Sequence, residues 1–175
     1  MGESANISPA AFIMTDKLKY FLGSGCYSGL SPLAPGTVGS ATSLLIIFGC
    51  IYAQKEILLI PFILFSAAIT FWAGSFFENN FGKDPGIMVS DEWAGQALTF
   101  AAIPFSTSVQ ANIIILLTGF ILFRFFDILK PLGIKKLQNL KSSWGILCDD
   151  LLAGLYAFLC IKTLIFLWPK FFGMA

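Results

Sequence analysis

Two clusters of acidic residues are the part of the sequence best suited to chemistry. Six of the ten acids belong to them: Asp84, Asp91, Glu92, Asp127, Asp149 and Asp150. Each cluster borders an apolar stretch, where unpaired carboxylates are costly. A bound cation would relieve that cost, and carboxylate oxygens without histidine or thiolate partners favour Mg²⁺. The alternative for any single acid is a solvated helix cap. Taken together, the clusters predict a cation site for which Mg²⁺ is the favoured ion.

Two cationic side chains accompany the second acidic cluster. Arg124 is the only arginine of the chain and lies one helical turn before Asp127, and Lys130 follows three residues later. A guanidinium can hold a phosphate group through several hydrogen bonds, and the lysine would add a second positive charge. The alternative is a structural ion pair between Arg124 and Asp127, which residues three apart on a helix can form. The neighbouring acids and lysine favour phosphate binding by Arg124 and Lys130.

A turn rich in glycine and proline precedes the first long apolar stretch. It reads PGTVGS over residues 35–40, and Thr37 is predicted to be the N-cap of the following helix. The free N–H groups of a first helical turn can bind an anion, so Thr37 becomes a third candidate phosphate-binding residue. This signal is weak when it is taken alone, because glycines before a helix usually mark a turn.

The residues that are missing exclude several kinds of chemistry. The chain has no histidine, which removes Ser-His-Asp hydrolysis and every histidine-ligated metal site. Its four cysteines form no CxxC pair, and no arginine follows any of them within a short loop, which argues against disulfides and against a thiolate phosphatase. The net charge of +1 gives no indication of a nucleic-acid partner.

The overall composition indicates which elements must position these residues. The chain is 57% hydrophobic and 12% charged, whereas soluble domains have about 45–50% apolar and about 25% charged residues. So few charges cannot cover a surface exposed to water. The sequence therefore predicts an all-α, polytopic integral membrane helical bundle, formed as a single domain over residues 1–175.

The apolar stretches predict about five hydrophobic helices, preceded by a short amphipathic helix over residues 9–22. The stretches cover residues 38–53, 57–77, 93–126 and 151–168. The third is too long for one straight crossing, and its break at residues 104–108 suits a hairpin. With a hairpin, both acidic clusters lie on one face of the membrane. Full crossing by residues 38–53 and 93–105 is left open.

Lysines concentrate on the same face as the acidic clusters in this topology. That face would carry Lys17, Lys19, Lys83, Lys130, Lys135, Lys136 and Lys141, against Lys55 and Lys170 on the other. Because short cytoplasmic loops are enriched in lysine and arginine, the face with the acids is predicted to be cytoplasmic.

Four motifs that occur in order resemble the phosphatidylglycerophosphatase A family. They are LSPLAPGTVG at residues 30–39, DPGIMVSDEWAG at 84–95, RFFDILKP at 124–131 and WGILCDDLLAG at 144–154. The resemblance implies a Mg²⁺-dependent phosphatase of the bacterial inner membrane that converts phosphatidylglycerophosphate to phosphatidylglycerol. The matching positions include Thr37, Arg124 and Lys130, which the resemblance implies as phosphate-binding residues. It also implies five acids as the candidate catalytic and Mg²⁺-ligating residues, namely Asp91, Glu92, Asp127, Asp149 and Asp150.

The chain departs from the family pattern at two places. Ser142 and Ser143 stand before Trp144 where glycines are usual, and Ser90 stands where a bulky apolar residue is common. Neither departure changes an acid.

Several alternatives stay open at this point. Attack by water and an aspartyl-phosphate intermediate, with Asp127 as the first candidate nucleophile, both fit the sequence. The substrate could be another lipid phosphate, such as a polyprenyl phosphate. A non-enzymatic ion or proton transporter is disfavoured, since its acids would be expected in the middle of membrane spans. The partner is expected to be a phospholipid substrate in the membrane, and the oligomeric state is left open.

Overall fold

Seven α-helices form the regular structure of the part of the chain that the computed structural model describes, which is residues 13–138, 140 and 143–174, and no strand occurs there. The helices are α1 (Met14–Gly23), α2 (Pro35–Tyr52), α3 (Leu59–Phe81), α4 (Ser90–Leu98), α5 (Val109–Leu129), α6 (Ile134–Leu137) and α7 (Ser143–Leu167). The all-α prediction is confirmed for these residues.

Local sequence explains where the long helices begin and end. Pro35 occupies the start of α2, where its fixed φ fits the helix and its missing N–H is not needed. The Ser108 hydroxyl caps α5 by accepting a hydrogen bond from the Ala111 N–H at 3.4 Å. At the other end of α5, Lys130 adopts a left-handed φ of 45° and Pro131 follows. A proline cannot donate the next helical hydrogen bond, so the chain leaves the helix at this point.

Four helical segments in the described part of the chain are long and apolar enough to cross a membrane. They are Pro35–Tyr52, Glu56–Phe81, Val109–Leu129 and Ser143–Leu167. The sequence predicted about five hydrophobic helices. The described residues have four because residues 93–126 contain only one long helix. Their first part forms α4, which has 9 residues and is too short to cross.

The predicted break at residues 104–108 does separate two helices, α4 and α5. After α4 the chain continues through turns and irregular backbone over residues 99–108 to reach the start of α5. Phe100 and Ile103 of this segment are buried. These two side chains pack in the main hydrophobic core with residues of α2, α3, α5 and α7, whereas Ala102, Pro104 and Thr107 of the same segment are exposed.

The two ends of the bundle differ in their polar groups. At one end, the N-terminus of α4 lies beside the C-terminus of α5 and the N-terminus of α2, through contacts of Glu92 with Arg124 and Gly36. At the other end, the residues between α2 and α3 and those between α4 and α5 line a cavity of about 320 Å³ that includes Gln54, Glu56 and Thr107. The hairpin arrangement of the acidic clusters therefore agrees with the structure.

Contacts between backbones hold α4 in the middle of the bundle. Gly95 of α4 and Gly154 of α7 face each other, and a Cβ on either would collide with backbone of the other helix. Ala153 and Ala157 are fully buried beside this contact, so the small residues of α7 serve close packing. On the opposite side of α4, the Trp93 indole N–H donates to the Gly39 carbonyl of α2 at 3.0 Å.

Two predicted boundaries need revision. Helix α7 begins at Ser143, so Asp149 and Asp150 lie inside this helix and not before it. The N-terminal helix α1 starts at Met14, and residues 9–12 of the predicted amphipathic segment lie outside the described residues. Its position at a membrane interface stays a prediction.

Candidate active site

Three helices bring all five predicted acids to one end of the bundle. The first turn of α4 carries Asp91 and Glu92, the last turns of α5 carry Asp127, and the second turn of α7 carries Asp149 and Asp150. Four of the five are nearly inaccessible to solvent, and the side chain of Glu92 is 13% exposed. Residues more than 50 positions apart in sequence thus form one buried acidic site.

Asp91, Glu92 and Asp150 form the tightest group of carboxylates among the described residues. One carboxylate oxygen of each lies within 4.8 Å of those of the other two, which is a spacing that a single metal ion can bridge. Two of these side chains also have a buried oxygen, Asp91 Oδ1 and Glu92 Oε2, with no hydrogen-bond partner in the part of the chain that the structure describes. Such oxygens are costly unless something positive binds them. The donor set is all oxygen, which fits Mg²⁺.

The other two acids are paired with the predicted phosphate-binding cations. Arg124 Nη1 lies 2.6 Å from Asp127 Oδ2 and 3.8 Å from Glu92 Oε1, and it donates to the Ser40 hydroxyl at 3.3 Å. The structural pair that the sequence offered as an alternative is therefore formed. The Nε atom of Arg124 nevertheless has no partner among the described residues, so the guanidinium keeps a free, buried donor.

Lys130 is paired in the same way with an acid of α7. Its Nζ atom lies 2.5 Å from Asp149 Oδ2, while Asp149 Oδ1 is buried and has no partner among the described residues. Burial alone would lower the pKa of Lys130, but the hydrogen bond and the negative charge of Asp149 outweigh it and raise that pKa. Lys130 is therefore positively charged in this position.

The acids of α4, which lie outside the four candidate spans, have carboxyl groups that resist ionisation. Burial raises the pKa of Asp91 well above its usual range, and the nearby charge of Asp149 adds to the effect. Burial and the charge of Asp91 likewise raise the pKa of Glu92. A divalent cation held between these carboxyl groups would stabilise their ionised forms.

The first turn of α2 closes one side of the site through a glycine. A Cβ on Gly36 would collide with Glu92 Oε1 and lie 3.1 Å from Arg124 Nη2. The predicted capping role of Thr37 is wrong, because Ala34 is the N-cap and Thr37 is the third helical residue. The helix starts earlier than expected because Pro35 fits its first position. Phosphate binding by Thr37 stays a prediction.

The structure gives a physical reason for two departures from the family pattern. Ser90 is fully buried, and its hydroxyl lies 2.9 Å from the Thr70 hydroxyl of α3, so the two polar groups satisfy each other. The side chain of Ser143 packs against Gly74, where a larger residue on α3 would collide with it. Ser142 lies outside the described residues.

Sequence reasoning missed the contributions of Ser40 and Gly36, whereas Asp84 belongs to the predicted acidic clusters. Ser40 and Gly36 contact the arginine and the acids from α2, and Asp84 accepts a hydrogen bond from the Gln138 amide at 2.8 Å. The last contact joins the loop before α4 to the segment after α6. The PGTVGS turn, which contains Gly36 and Ser40, was the available signal, but the sequence alone pointed only to Thr37 within it.

Together the fold and the site of the described residues define an all-helical bundle that has four helices long and apolar enough to cross a membrane and a buried cluster of acids and cations at one end. The chain belongs to the phosphatidylglycerophosphatase A family, because the family model with that description matches residues 21–165. This confirms the resemblance seen in the motifs, and the enzyme is a lipid phosphatase. No solved structure matches the chain.

Three bacterial relatives support this membership. A protein of Bacteroides thetaiotaomicron named "Putative phosphatidylinositol-3-phosphatase" is 36% identical over 83% of this chain and 92% of its own length. Phosphatidylglycerophosphatase A of Haemophilus influenzae is 36% identical over 81% of this chain and 85% of its own length. Phosphatidylglycerophosphatase A of Escherichia coli is 29% identical over 77% of this chain and 76% of its own length.

Proposed function

We propose that this enzyme is a Mg²⁺-dependent phosphatase that hydrolyses phosphatidylglycerophosphate to phosphatidylglycerol and phosphate. The observation that carries the proposal is the carboxylate group of Asp91, Glu92 and Asp150, flanked by Arg124 and Lys130 at one end of an apolar bundle. Phosphoryl transfer depends mainly on positioning and on neutralising the charge of the phosphate oxygens. A metal-binding group of acids beside an arginine and a lysine supplies both.

Each residue has a role that follows from its contacts. Asp91, Glu92 and Asp150 would hold Mg²⁺, and Asp149, which has one free buried oxygen, is a further ligand candidate. A bound Mg²⁺ would polarise a phosphoryl oxygen and offset developing negative charge. Arg124, held in place by its contact with Asp127, would present its free Nε to the phosphate.

We infer that the nucleophile is a water molecule. The Asp127 carboxylate is ion-paired with Arg124 at 2.6 Å, which makes it a weaker nucleophile than a free carboxylate. In this route the water oxygen attacks phosphorus, a carboxylate accepts the proton of the water, and the ester bond between phosphorus and the headgroup oxygen breaks. The headgroup oxygen takes that proton from the carboxyl group and leaves as the alcohol.

The site is proposed to face the cytoplasm of a bacterial inner membrane. The support is the surplus of lysines at this end of the bundle, where Lys83 and Lys130 lie between helices and Lys135 and Lys136 lie on the short helix α6. The lipid tails of the substrate would remain in the bilayer while its phosphate enters the site.

A second candidate substrate is a phosphoinositide that carries a 3-phosphate. The relative from Bacteroides thetaiotaomicron with that printed activity matches 83% of this chain. The same acids and cations would bind either phosphate, so the substrates differ only in the part of the headgroup beyond the phosphate.

Phosphate release from a panel of purified lipids tests the proposal. The panel contains phosphatidylglycerophosphate, phosphatidylinositol 3-phosphate, phosphatidic acid and a polyprenyl phosphate, each assayed with Mg²⁺ and with excess chelator. We expect fastest release from phosphatidylglycerophosphate, and only with Mg²⁺. Faster turnover of another lipid would contradict the substrate, and full turnover in chelator would contradict the metal.

A pair of matched variants tests the site itself. Asp91→Asn keeps the shape of the side chain but removes its charge, and loss of one such electrostatic contact typically lowers the rate by about 10²–10³-fold. Asp16→Asn is the control, because Asp16 lies on α1 and pairs only with Lys19 at 3.5 Å among the described residues. Equal turnover by the two folded variants would contradict the assigned site.

A further inference from the structure

The side chain of Gln96 is buried without any visible partner. Gln96 lies on α4 and is fully inaccessible to solvent. Neither its amide nitrogen nor its amide oxygen has a hydrogen-bond partner in the part of the chain that the structure describes. A buried amide that uses neither its donor nor its acceptor is destabilising, and such groups in native proteins call for a functional or structural explanation.

Its position on α4 directs Gln96 toward the active site. Gln96 follows Glu92 by four residues, so both side chains lie on the same face of the helix. Side chains on a helix lean toward its N-terminus, which for Gln96 is the turn that carries Glu92. The Glu92 side chain contacts Arg124 of α5 and approaches Gly36 of α2. Gln96 is therefore the next polar group below the acids.

Buried polar groups of α2 lie one turn above Gln96, at the level of the first turn of α4. Helices α2 and α4 run in the same direction, because Glu92 approaches Gly36 at the start of α2, and the last turn of α2 lines the same cavity as residues that follow α4. Gly39 lies against Val89 and accepts from the Trp93 indole, so its neighbour Ser40, whose hydroxyl accepts from Arg124, lies beside the N-terminus of α4. Gln96 is thus the next polar group of α4 beneath the metal-binding acids.

Beneath this level the surface between α2 and α5 becomes apolar. A groove of about 240 Å³ follows these two helices and is lined by Leu44, Leu45, Phe48, Ile113, Leu116 and Leu117. From the acids toward the groove, the protein therefore offers metal ligands and cations with the Ser40 hydroxyl, then the amide of Gln96, and then apolar side chains. A phospholipid phosphomonoester has the same order of groups, with phosphate, headgroup and acyl chains.

We propose that Gln96 is a specificity-determining residue that hydrogen-bonds a hydroxyl of the lipid headgroup next to the phosphate being removed. A hydroxyl both donates and accepts, and an amide offers one group for each. Phosphatidylglycerophosphate carries a free hydroxyl on the carbon next to the one that bears the terminal phosphate. Phosphatidylinositol 3-phosphate has free hydroxyls beside its phosphate too, whereas phosphatidic acid has an acyl ester there. The inference rests on the proposed lipid phosphatase function and specifies which headgroups the site accepts.

Replacing Gln96 by methionine, written Gln96→Met, tests this because it keeps the size of the side chain and removes its hydrogen bonds. The assay measures kcat/KM in mixed micelles with each of the three lipids. We expect Gln96→Met to lower kcat/KM about tenfold for the two lipids with a neighbouring hydroxyl, as loss of one hydrogen bond predicts. Hydrolysis of phosphatidic acid should be unchanged.

Two further variants keep the outcome clear. Ser66→Ala removes another buried hydroxyl without a partner among the described residues, on α3, and should not alter the ratio between lipids. Gln96→Asn retains the amide but withdraws it by one methylene, and it should show the same selective loss if Gln96→Met does not fold.

The results separate this inference from the proposed substrate. Equal losses with all three lipids, or no loss with any of them, would overturn the role of Gln96. So would a wild-type enzyme that hydrolyses phosphatidic acid faster than both hydroxyl-bearing lipids. A wild-type enzyme that hydrolyses only phosphatidylinositol 3-phosphate, with a selective loss in Gln96→Met, would support Gln96 and contradict the proposed substrate.

Discussion

Gly36 offers the sharpest test of the geometry of the site. An alanine at this position adds one methyl group, and its Cβ would lie far inside the 3.0 Å limit that real Cβ contacts respect, against Glu92 Oε1. The Glu92 carboxylate must then move by about 1 Å, and a displacement of that size can cost about 10² in rate. Because Arg124 Nη2 would lie 3.1 Å from the same methyl, an acid proposed to bind metal and the arginine proposed to bind phosphate are both affected.

We therefore expect Gly36→Ala to lower kcat/KM about 100-fold and to raise the Mg²⁺ concentration needed for half-maximal activity. Folding should be retained, because Gly36 has no left-handed φ that an alanine would strain. The assay is phosphate release over a Mg²⁺ titration, together with thermal unfolding in detergent.

The same helix provides the matched control. Gly49 also lies on α2, and a Cβ built there meets nothing within 4 Å, so Gly49→Ala should retain wild-type turnover. Wild-type kcat/KM in a folded Gly36→Ala protein would refute the role assigned to the contact between Gly36 and Glu92. An equal loss in Gly49→Ala would show that α2 tolerates no added methyl group. The loss in Gly36→Ala could then not be attributed to the contact with Glu92.

Two further predictions concern the arginine and the topology. Arg124→Lys keeps the positive charge but removes the planar set of donors. If Arg124 contacts the phosphate, kcat should fall clearly, whereas a simple charge pair with Asp127 predicts little change. Steady-state kinetics of the folded variant decide between the two. In a cysteine-free background, single cysteines beside Lys83 and Lys136 should both be protected from a membrane-impermeant thiol reagent in intact cells, and one beside Lys55 should react. Opposite labelling of the first two would contradict a shared site on one face.

Much of the site could be predicted from sequence because its parts are local. The adjacent acids, the single arginine one turn before Asp127, and the order of the four motifs are all visible without a structure. The proline at residue 104 lies between α4 and α5, as the predicted hairpin requires. These features depend on residue type and short spacing.

Other features depend on contacts between distant segments and could not be predicted. The pairing of Ser90 with Thr70 joins two helices, so Ser90 alone looks like an unexplained departure from the family pattern. The shortness of α4 follows from its burial among other helices, since its sequence continues as apolar beyond Leu98. The sequence cannot show that the Gln96 amide lacks a partner, because this depends on how α2 and α5 pack against the face of α4 that carries Glu92 and Gln96.

The sequence by itself determined that this protein is an apolar all-helical chain with acids and cations placed near the ends of its hydrophobic stretches. Composition and the length of the stretches carry that information, because burying apolar surface and satisfying backbone hydrogen bonds leave few alternatives.

Only the tertiary structure decided which of the five acids lie together. Asp149 and Asp150 are successive residues of α7 that point about 100° apart, and they contact different partners in the fold. The close contact of Gly95 with Gly154 sets the rotation of α7 against α4. That rotation turns Asp150 toward Asp91 and Glu92, and it turns Asp149 toward Lys130.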